Sequence, residues 1–214
     1  MKKNMYSLIL SEEIIRGIDS EAARLGLSRS GLINDILAEY VKYRTPEMRV
    51  RDMFDKIQEI IESFGVMAPV TRSSGSMLGT RSMLSYKYNP AVNYSVELFR
   101  TGREGVIGEI RVSLRTQSEE LRYYMECFYA VWAAIEEKYL KRKDCSFSGT
   151  RMVKEIRNLE GISEDDLCIE ISQYINTIDK ALKYYFRSLN DRDTAAANAE
   201  SVYRTYLEKC SIPL

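Results

Sequence analysis

The sequence of 214 residues contains no histidine. Imidazole is the commonest metal ligand and the commonest general base, so its absence argues against most metal sites and against His-dependent triads. Cysteine is scarce too, and no CxxC pair indicates a zinc site or a disulfide framework. We therefore expect no metal, no cofactor and no enzymatic activity. The four cysteines are widely spaced, at Cys127, Cys145, Cys168 and Cys210.

Long apolar runs and an excess of one charge are also missing. No run approaches the roughly 18 apolar residues of a membrane-spanning helix, and no basic-then-apolar leader is present. We therefore expect a cytoplasmic protein with no membrane partner. Lys plus Arg and Asp plus Glu both number 31. Since the net charge is zero, any attraction to nucleic acid must come from local patches.

The first 44 residues carry the clearest pattern. Apolar residues alternate over residues 4–10, which is typical of a β-strand. Ser11 is a candidate N-cap for a helix that ends at Gly26, and Ser28 is a candidate N-cap for a second helix. One strand and two short helices cannot bury their apolar faces alone, so the pattern predicts a homodimer with paired strands. The expected dimer core comprises Tyr6, Leu8, Leu10 and Ile36.

This order of elements, with Leu10-Ser11-Glu12 before the first helix and Gly26-Leu27-Ser28-Arg29-Ser30 before the second, resembles a ribbon-helix-helix domain of the Arc/MetJ/CopG type. The resemblance covers residues 3–42. In that family a dimer places its β-ribbon in the major groove of DNA. The resemblance implies base contacts from outward ribbon side chains and phosphate contacts from the start of the second helix. The implied DNA-binding residues are Lys3, Met5, Ser7 and Ile9 on the ribbon, and Ser28, Arg29 and Ser30 on the helix.

The ribbon departs from the family at two positions. Family ribbons usually present polar or basic side chains outward, whereas Met5 and Ile9 offer only apolar contact, for example to a thymine methyl group. The segment also fits a core fragment of a larger α/β domain, a ribbon that serves only dimerisation, or a ribbon that contacts another partner such as a protein. Ser28-Arg29-Ser30 could equally be no more than a helix cap.

Residues 45–214 form a second predicted domain, which resembles no family that its residues identify. Thr45 and Pro46 open a helix that ends at Gly65, and the Ser/Gly/Arg-rich residues 70–82 are expected to be a loop. Alternation predicts strands at 84–88, 93–99 and 109–115. Helices are predicted at 118–142, 152–159, from Ser163 to Leu189, and at 195–210, with a loop at 144–149. The predicted fold class is α+β, mainly α, with a ribbon-helix-helix at 1–44 and, at 45–214, a three-stranded antiparallel meander packed with several helices.

Positive charge is concentrated between residues 70 and 115, a segment that contains seven Arg and Lys residues but only three Glu residues. One interpretation is a secondary surface for anionic ligands, and the other is an ordinary solvated sheet face. The arginines that carry the first interpretation are Arg72, Arg81, Arg111 and Arg115.

The sequence as a whole predicts a homodimer that binds duplex DNA in a sequence-specific way, with transcriptional regulation as its role. An accessory protein of a mobile element or relaxosome would carry the same N-terminal pattern. A third class is an accessory protein for single-stranded DNA or RNA, which the apolar ribbon and the arginine-bearing strands with nearby tyrosines favour. An enzymatic second domain is the remaining alternative.

Overall fold

The computed structural model describes residues 5–74, 77–158 and 161–214, with only the backbone of 71–74, 100, 101 and 103. The chain divides into two compact units. Unit 1 comprises Met1–Arg49 and unit 2 comprises Val50–Leu214. Each unit is described separately below.

Unit 1 contains two complete helices, α1 (Glu12–Leu25) and α2 (Arg29–Tyr40), and the start of α3 (Pro46–Ser63). Helix α1 ends at Gly26, whose φ of +64° is a conformation that glycine adopts without a steric penalty. Ser28 caps α2, because its side chain accepts a hydrogen bond from the Gly31 backbone N–H at 3.1 Å. The predicted bounds of both helices are confirmed.

The strand predicted at residues 4–10 is wrong for the single chain. Residue 4 lies outside the described residues, and residues 5–10 form neither helix nor strand. A strand needs a hydrogen-bonding partner, and no described strand of the chain pairs with this segment. The described residues of unit 1 therefore contain no β-ribbon.

Unit 2 is built on a six-stranded antiparallel sheet, so the predicted three-stranded meander is also wrong. The strands lie in the order β1-β2-β3-β4-β6-β5. Every neighbouring pair is antiparallel. Their bounds are β1 Ala68–Ser74, β2 Met77–Met83, β3 Ala91–Arg103, β4 Val106–Leu114, β5 Cys145–Ser148 and β6 Arg151–Arg157.

Several predicted elements of unit 2 differ from the structure because their composition or hydrophobic period is typical of another type of element. The predicted loop at 70–82 is largely the β1–β2 hairpin, and the predicted loop at 144–149 contains β5. The predicted helix at 152–159 is mostly β6, and the predicted strand at 84–88 is a turn. The strands predicted at 93–99 and 109–115 are confirmed as parts of β3 and β4.

Three helices of unit 2 come after β4 in the sequence: α4 (Glu119–Leu140), α5 (Glu164–Arg187) and α6 (Arg192–Leu207). Helix α4 lies between β4 and β5, and α5 and α6 follow β6. Ser118, Ser163 and Asp191 cap them through hydrogen bonds to backbone N–H groups. The helices pack against one face of the sheet, where alternate residues of β3 and β4 are buried. Removal of these side chains from water, at about 1.5–3 kcal/mol each, is the main term that stabilises this layer. The buried sheet residues are Val92, Tyr94, Val96, Leu98, Ile110, Val112 and Leu114.

A polar cluster lies inside this otherwise apolar layer. The Glu136 carboxylate on α4 accepts a hydrogen bond from Tyr174 OH at 2.6 Å and one from Trp132 Nε1 at 3.1 Å. Lys154 of β6 donates to the same carboxylate at 3.0 Å, and the Cys145 thiol donates at 2.8 Å. The side chains of Glu136 and Lys154 are 3% and 1% exposed. Burial raises the pKa of the Cys145 thiol, and the nearby Glu136 carboxylate raises it further.

Candidate nucleic-acid interface

Exposed apolar side chains are concentrated in unit 1. Eleven of the eighteen large apolar side chains that are exposed in the described residues fall between residues 5 and 43. Burial is correspondingly sparse there, since the buried apolar residues of unit 1 are Ala22, Leu32 and Ala38. The exposed residues are Met5, Tyr6, Leu8, Ile9, Ile14, Leu25, Ile36, Leu37, Tyr40, Val41 and Tyr43. A soluble surface rarely carries so dense an apolar set unless another surface covers it.

The predicted dimer core is not buried in the single chain. Tyr6 is 82% exposed, Leu8 is 59% exposed and Ile36 is 47% exposed. Leu10 is half-buried. In the single chain these residues therefore lie at the surface and do not form a core.

The predicted base-contacting residues are accessible as well. Met5 and Ile9 are fully exposed, and Ser7 between them is also exposed. Lys3 lies outside the described residues. Because residues 5–10 form no strand in the single chain, any alternation of inward and outward side chains would require a partner.

The three residues predicted to hold a phosphate lie together at the start of α2. Ser28 and Ser30 bring their hydroxyl groups to 3.3 Å of each other, and both side chains are exposed. Ser28 Oγ already accepts the Gly31 N–H, so this amide is occupied by the cap. The Arg29 and Ser30 amides precede the first residue that can bond within the helix, which leaves them directed out of its N-terminus.

Arg29 has a partner that the sequence pattern did not indicate. Its guanidinium forms two hydrogen bonds with the Asp19 carboxylate on α1, each 2.5 Å long. The hydrogen bond from Arg29 lowers the pKa of Asp19. The pair joins α1 to the start of α2, and it offsets the positive charge that Arg29 would otherwise offer to a phosphate.

The candidate secondary anionic surface divides on the sheet of unit 2. Arg111 pairs with Glu97 at 2.6 Å and also contacts Glu109, so its charge is neutralised locally. Arg81 and Arg115 are exposed, and within the described part of the chain they form no ion pair. For Arg72 only the backbone, in β1, is described.

A further arginine on this surface was missed because residues 152–159 were predicted to be helical. Arg151 is the first residue of β6, and its side chain is exposed. It pairs with Ser113 of β4 in the sheet register. The alternate residues Met152, Lys154 and Ile156 are the buried positions of this strand. Because the central one is a charged lysine, the sequence does not show the apolar alternation that predicts a strand.

Two of the three tyrosines near these strands, Tyr86 and Tyr94, pack on the helix side of the sheet, whereas Tyr88 in the β2–β3 connection is fully exposed. Tyr94 is 1% exposed, and its hydroxyl donates to the buried Asp179 carboxylate at 3.0 Å. Tyr86 is packed edge-on against Tyr124 and Phe186. The combination of arginine and tyrosine on one face, which favoured single-strand binding, is therefore not formed by Tyr86 and Tyr94.

No family model, curated protein or solved structure matches the chain.

In residues 5–74, 77–158 and 161–214, no group of three acidic or cysteine side chains is arranged to hold a metal ion. Across the same ranges, none of the helices has both the length and the apolarity needed to cross a bilayer.

Proposed function

We propose that the protein is a cytoplasmic transcriptional regulator that forms a homodimer through unit 1 and binds duplex DNA with it. The observation that carries the proposal is the set of eleven exposed apolar side chains between residues 5 and 43. A second copy of the same segment is the partner that the pattern favours, because a two-fold contact covers both copies with one interface. The resemblance of residues 3–42 to ribbon-helix-helix domains supports the same arrangement.

Dimerisation would supply the partner that residues 5–10 lack in the single chain. Two such segments running antiparallel would satisfy each other's backbone N–H and C=O groups. Tyr6 and Leu8 would then turn inward, and Ser7 would lie in the middle of the outward row. Exposure of both sets in the single chain supports this proposal.

DNA contact would use two chemically different sites. The start of α2 offers backbone amides and the positive end of the helix dipole, which suit a phosphate of any sequence. Ser7 offers a hydroxyl that can donate to or accept from a base edge. Phosphate contacts set the position of a protein on DNA and base contacts set its specificity, so loss of the two sites should have different effects.

The dimer is tested by replacing Leu8 with Asp and measuring the sedimentation coefficient. A carboxylate in an apolar interface costs several kcal/mol, roughly the whole stability of so small a module, so the Leu8→Asp protein should sediment as a monomer. Ser7→Asp is the matched control, because it adds the same charge to the outward row and should leave the dimer intact. A Leu8→Asp protein that remains a dimer would show that unit 1 does not hold the copies together.

DNA binding is tested on the wild-type dimer with mobility assays at several salt concentrations. Arg29→Ala should weaken binding to all duplexes alike, whereas Ser7→Ala should cost about 1 kcal/mol or more on a preferred sequence only. Circular dichroism checks that Arg29→Ala, which also breaks the contact with Asp19, leaves the helices folded. Equal affinity of both variants and wild type for every duplex would refute the proposed interface.

A further inference from the structure

The helices of unit 2 cover one face of its sheet, and residues on the other face are partly or fully exposed. Along β4, the buried Ile110, Val112 and Leu114 alternate with Glu109, Arg111 and Ser113, which are all partly exposed. The buried side contacts the helices, as in the hydrogen bond from Tyr129 OH on α4 to the Val112 carbonyl. The face that carries Arg111 and Ser113 is called the open face below.

The register of the sheet aligns polar residues of four strands in one row across the open face. Arg81 of β2 pairs with Asn93 of β3, which pairs with Ser113 of β4, which pairs with Arg151 of β6. We call these four residues the arginine row. Adjacent strands lie about 4.8 Å apart, so the Cα atoms of the two arginines are separated by roughly 14 Å. Arg115 directly follows β4 and adds a third exposed guanidinium near Ser113.

The charge of this row is not balanced by the side chains that the structure describes. Among the described side chains, no carboxylate lies within ion-pair distance of Arg81, Arg115 or Arg151. Two further arginines with described side chains on the open face are paired: Arg111 contacts Glu97 and Glu109, and Arg157 contacts Asp144 at 2.7 Å and Glu155 at 3.0 Å. The open face thus has a neutralised end and a positive end.

The chemistry of the positive end suits a chain of phosphates. Arginine, serine and asparagine are all among the side chains that donate to phosphate oxygens, and the arginine row consists of these three types. The side chains of Asn93 and Ser113, which are partly exposed, are shorter than those of the arginines on either side of them. The row has no apolar residue on which an amphipathic peptide helix would pack.

We propose that the arginine row binds the phosphodiester backbone of nucleic acid without regard to base sequence. This contact would be additional to that of unit 1 and does not depend on it. Tyr94 lies on the buried side of β3, so bases would not stack on it. The ligand would be recognised by its charge and spacing, and duplex and single strand would differ only in the number of phosphates within reach.

The test uses the full chain with Arg81 and Arg151 both replaced by glutamine. Affinity for a fluorescent duplex of mixed sequence, and for one of its strands, is measured over a range of salt concentrations. Each lost phosphate contact should flatten the slope of log affinity against log salt by about 0.9 for duplex and 0.7 for single strand. The double variant should therefore lose about 1.8 and 1.4 in slope, respectively.

Two further variants make the result specific. Arg122→Gln with Lys180→Gln removes the same charge from exposed positions on α4 and α5, and this control should keep the wild-type slope. Arg81→Lys with Arg151→Lys retains the charge and should restore most of the slope. Thermal unfolding followed by circular dichroism verifies that all variants remain folded, which is expected because both arginines are exposed.

The outcome is independent of the proposed role of unit 1. The same pair of substitutions is repeated in the Leu8→Asp protein, in which unit 1 cannot dimerise if the proposed function is right. A loss of slope in both backgrounds supports the arginine row, whatever unit 1 does. An unchanged slope, or a slope lost equally in the control variant, would overturn it. Binding of polyglutamate with the same dependence on Arg81 and Arg151 as DNA would also overturn it, in favour of an acidic polypeptide partner.

Discussion

Replacement of Lys154 by Met should destabilise unit 2 far more than its single lost hydrogen bond suggests. Lys154 is buried in β6 and donates to the Glu136 carboxylate at 3.0 Å. Met is close to Lys in length and would fill the same space, so the substitution removes the charge with little change in packing. Glu136 would then remain buried, with Trp132, Tyr174 and Cys145 as neutral donors.

The expected magnitude follows from the cost of leaving one charge of a buried pair without its partner. That cost is about 3–5 kcal/mol, whereas replacement of both partners by well-packed neutral side chains is often nearly neutral. Lys154→Met should therefore lower the free energy of unfolding by about 3–5 kcal/mol. Adding Glu136→Gln should recover part of this loss, because a neutral amide can still accept from Trp132 and Tyr174.

Urea unfolding followed by tryptophan fluorescence measures this effect directly. The chain has one tryptophan, Trp132, which is fully buried next to Glu136, so the signal reports unit 2. The matched control is Lys138→Met, which breaks a 2.6 Å contact with Glu200 in which the lysine side chain is 61% exposed. Exposed pairs contribute about 0–1 kcal/mol. A Lys154→Met protein no less stable than Lys138→Met would refute the argument from burial.

Three other predictions use single positions. Asp19→Asn should strengthen binding to all duplexes, because it frees Arg29 and removes a negative charge near the start of α2; unchanged affinity in a mobility assay would exclude this end of α2 from the interface. Gly108→Ala should destabilise unit 2 in calorimetry, because the added Cβ would clash with the Glu97 carbonyl oxygen. Gly17→Ala in α1 is the matched control: its Cβ meets no atom within 4 Å, and it should stabilise the helix by about 0.5–1 kcal/mol. Burial raises the pKa of the Cys168 thiol to about 11, so a thiol-specific dye at pH 8 should label Cys168 slowly in the native protein and rapidly in urea; fast native labelling would show that this region opens.

The helices were predictable because their ends are encoded locally. Ser118 and Ser163 each precede acidic residues and accept a hydrogen bond from a backbone N–H three residues later. Gly26 ends α1 with a positive φ that few other residues adopt at low cost. Such signals act within a few residues, so a single sequence contains all the information needed to find them.

The sheet was only partly predictable because its pattern depends on partners distant in sequence. Lys154 is buried in β6 through its contact with Glu136, eighteen positions earlier, and a buried lysine hides the alternation of a strand. In the β1–β2 hairpin, Thr80 and Ser82 are buried as polar residues: Thr80 donates to the Ala68 carbonyl, and Ser82 donates to Asp179 on α5. When the hydrogen-bond partners of buried polar residues are unknown, the sequence pattern predicts a loop where the structure has a strand.

The proposed binding residues also divide into those that local sequence indicates and those that depend on contacts distant in sequence. Ser28, Arg29 and Ser30 could be placed at the start of a helix from the sequence because a helix start is a local feature. The ion pair of Arg29 with Asp19 spans ten residues, and no local pattern distinguished Asp19 from other surface acids. The arginine row depends on the register of four strands, which cannot be assigned until the strands themselves are known.

The exposed apolar residues of unit 1 have a consequence for synthesis in the cell. Unit 1 precedes unit 2 in the chain, and the 165 residues from Val50 to Leu214 must still be translated when unit 1 is complete. At about 5–20 residues per second this takes roughly 10–30 s. During this interval the apolar side chains are available at the ribosome to chaperones and to other nascent copies made from the same message. Co-translational pairing of two neighbouring chains would cover them before the second unit has folded.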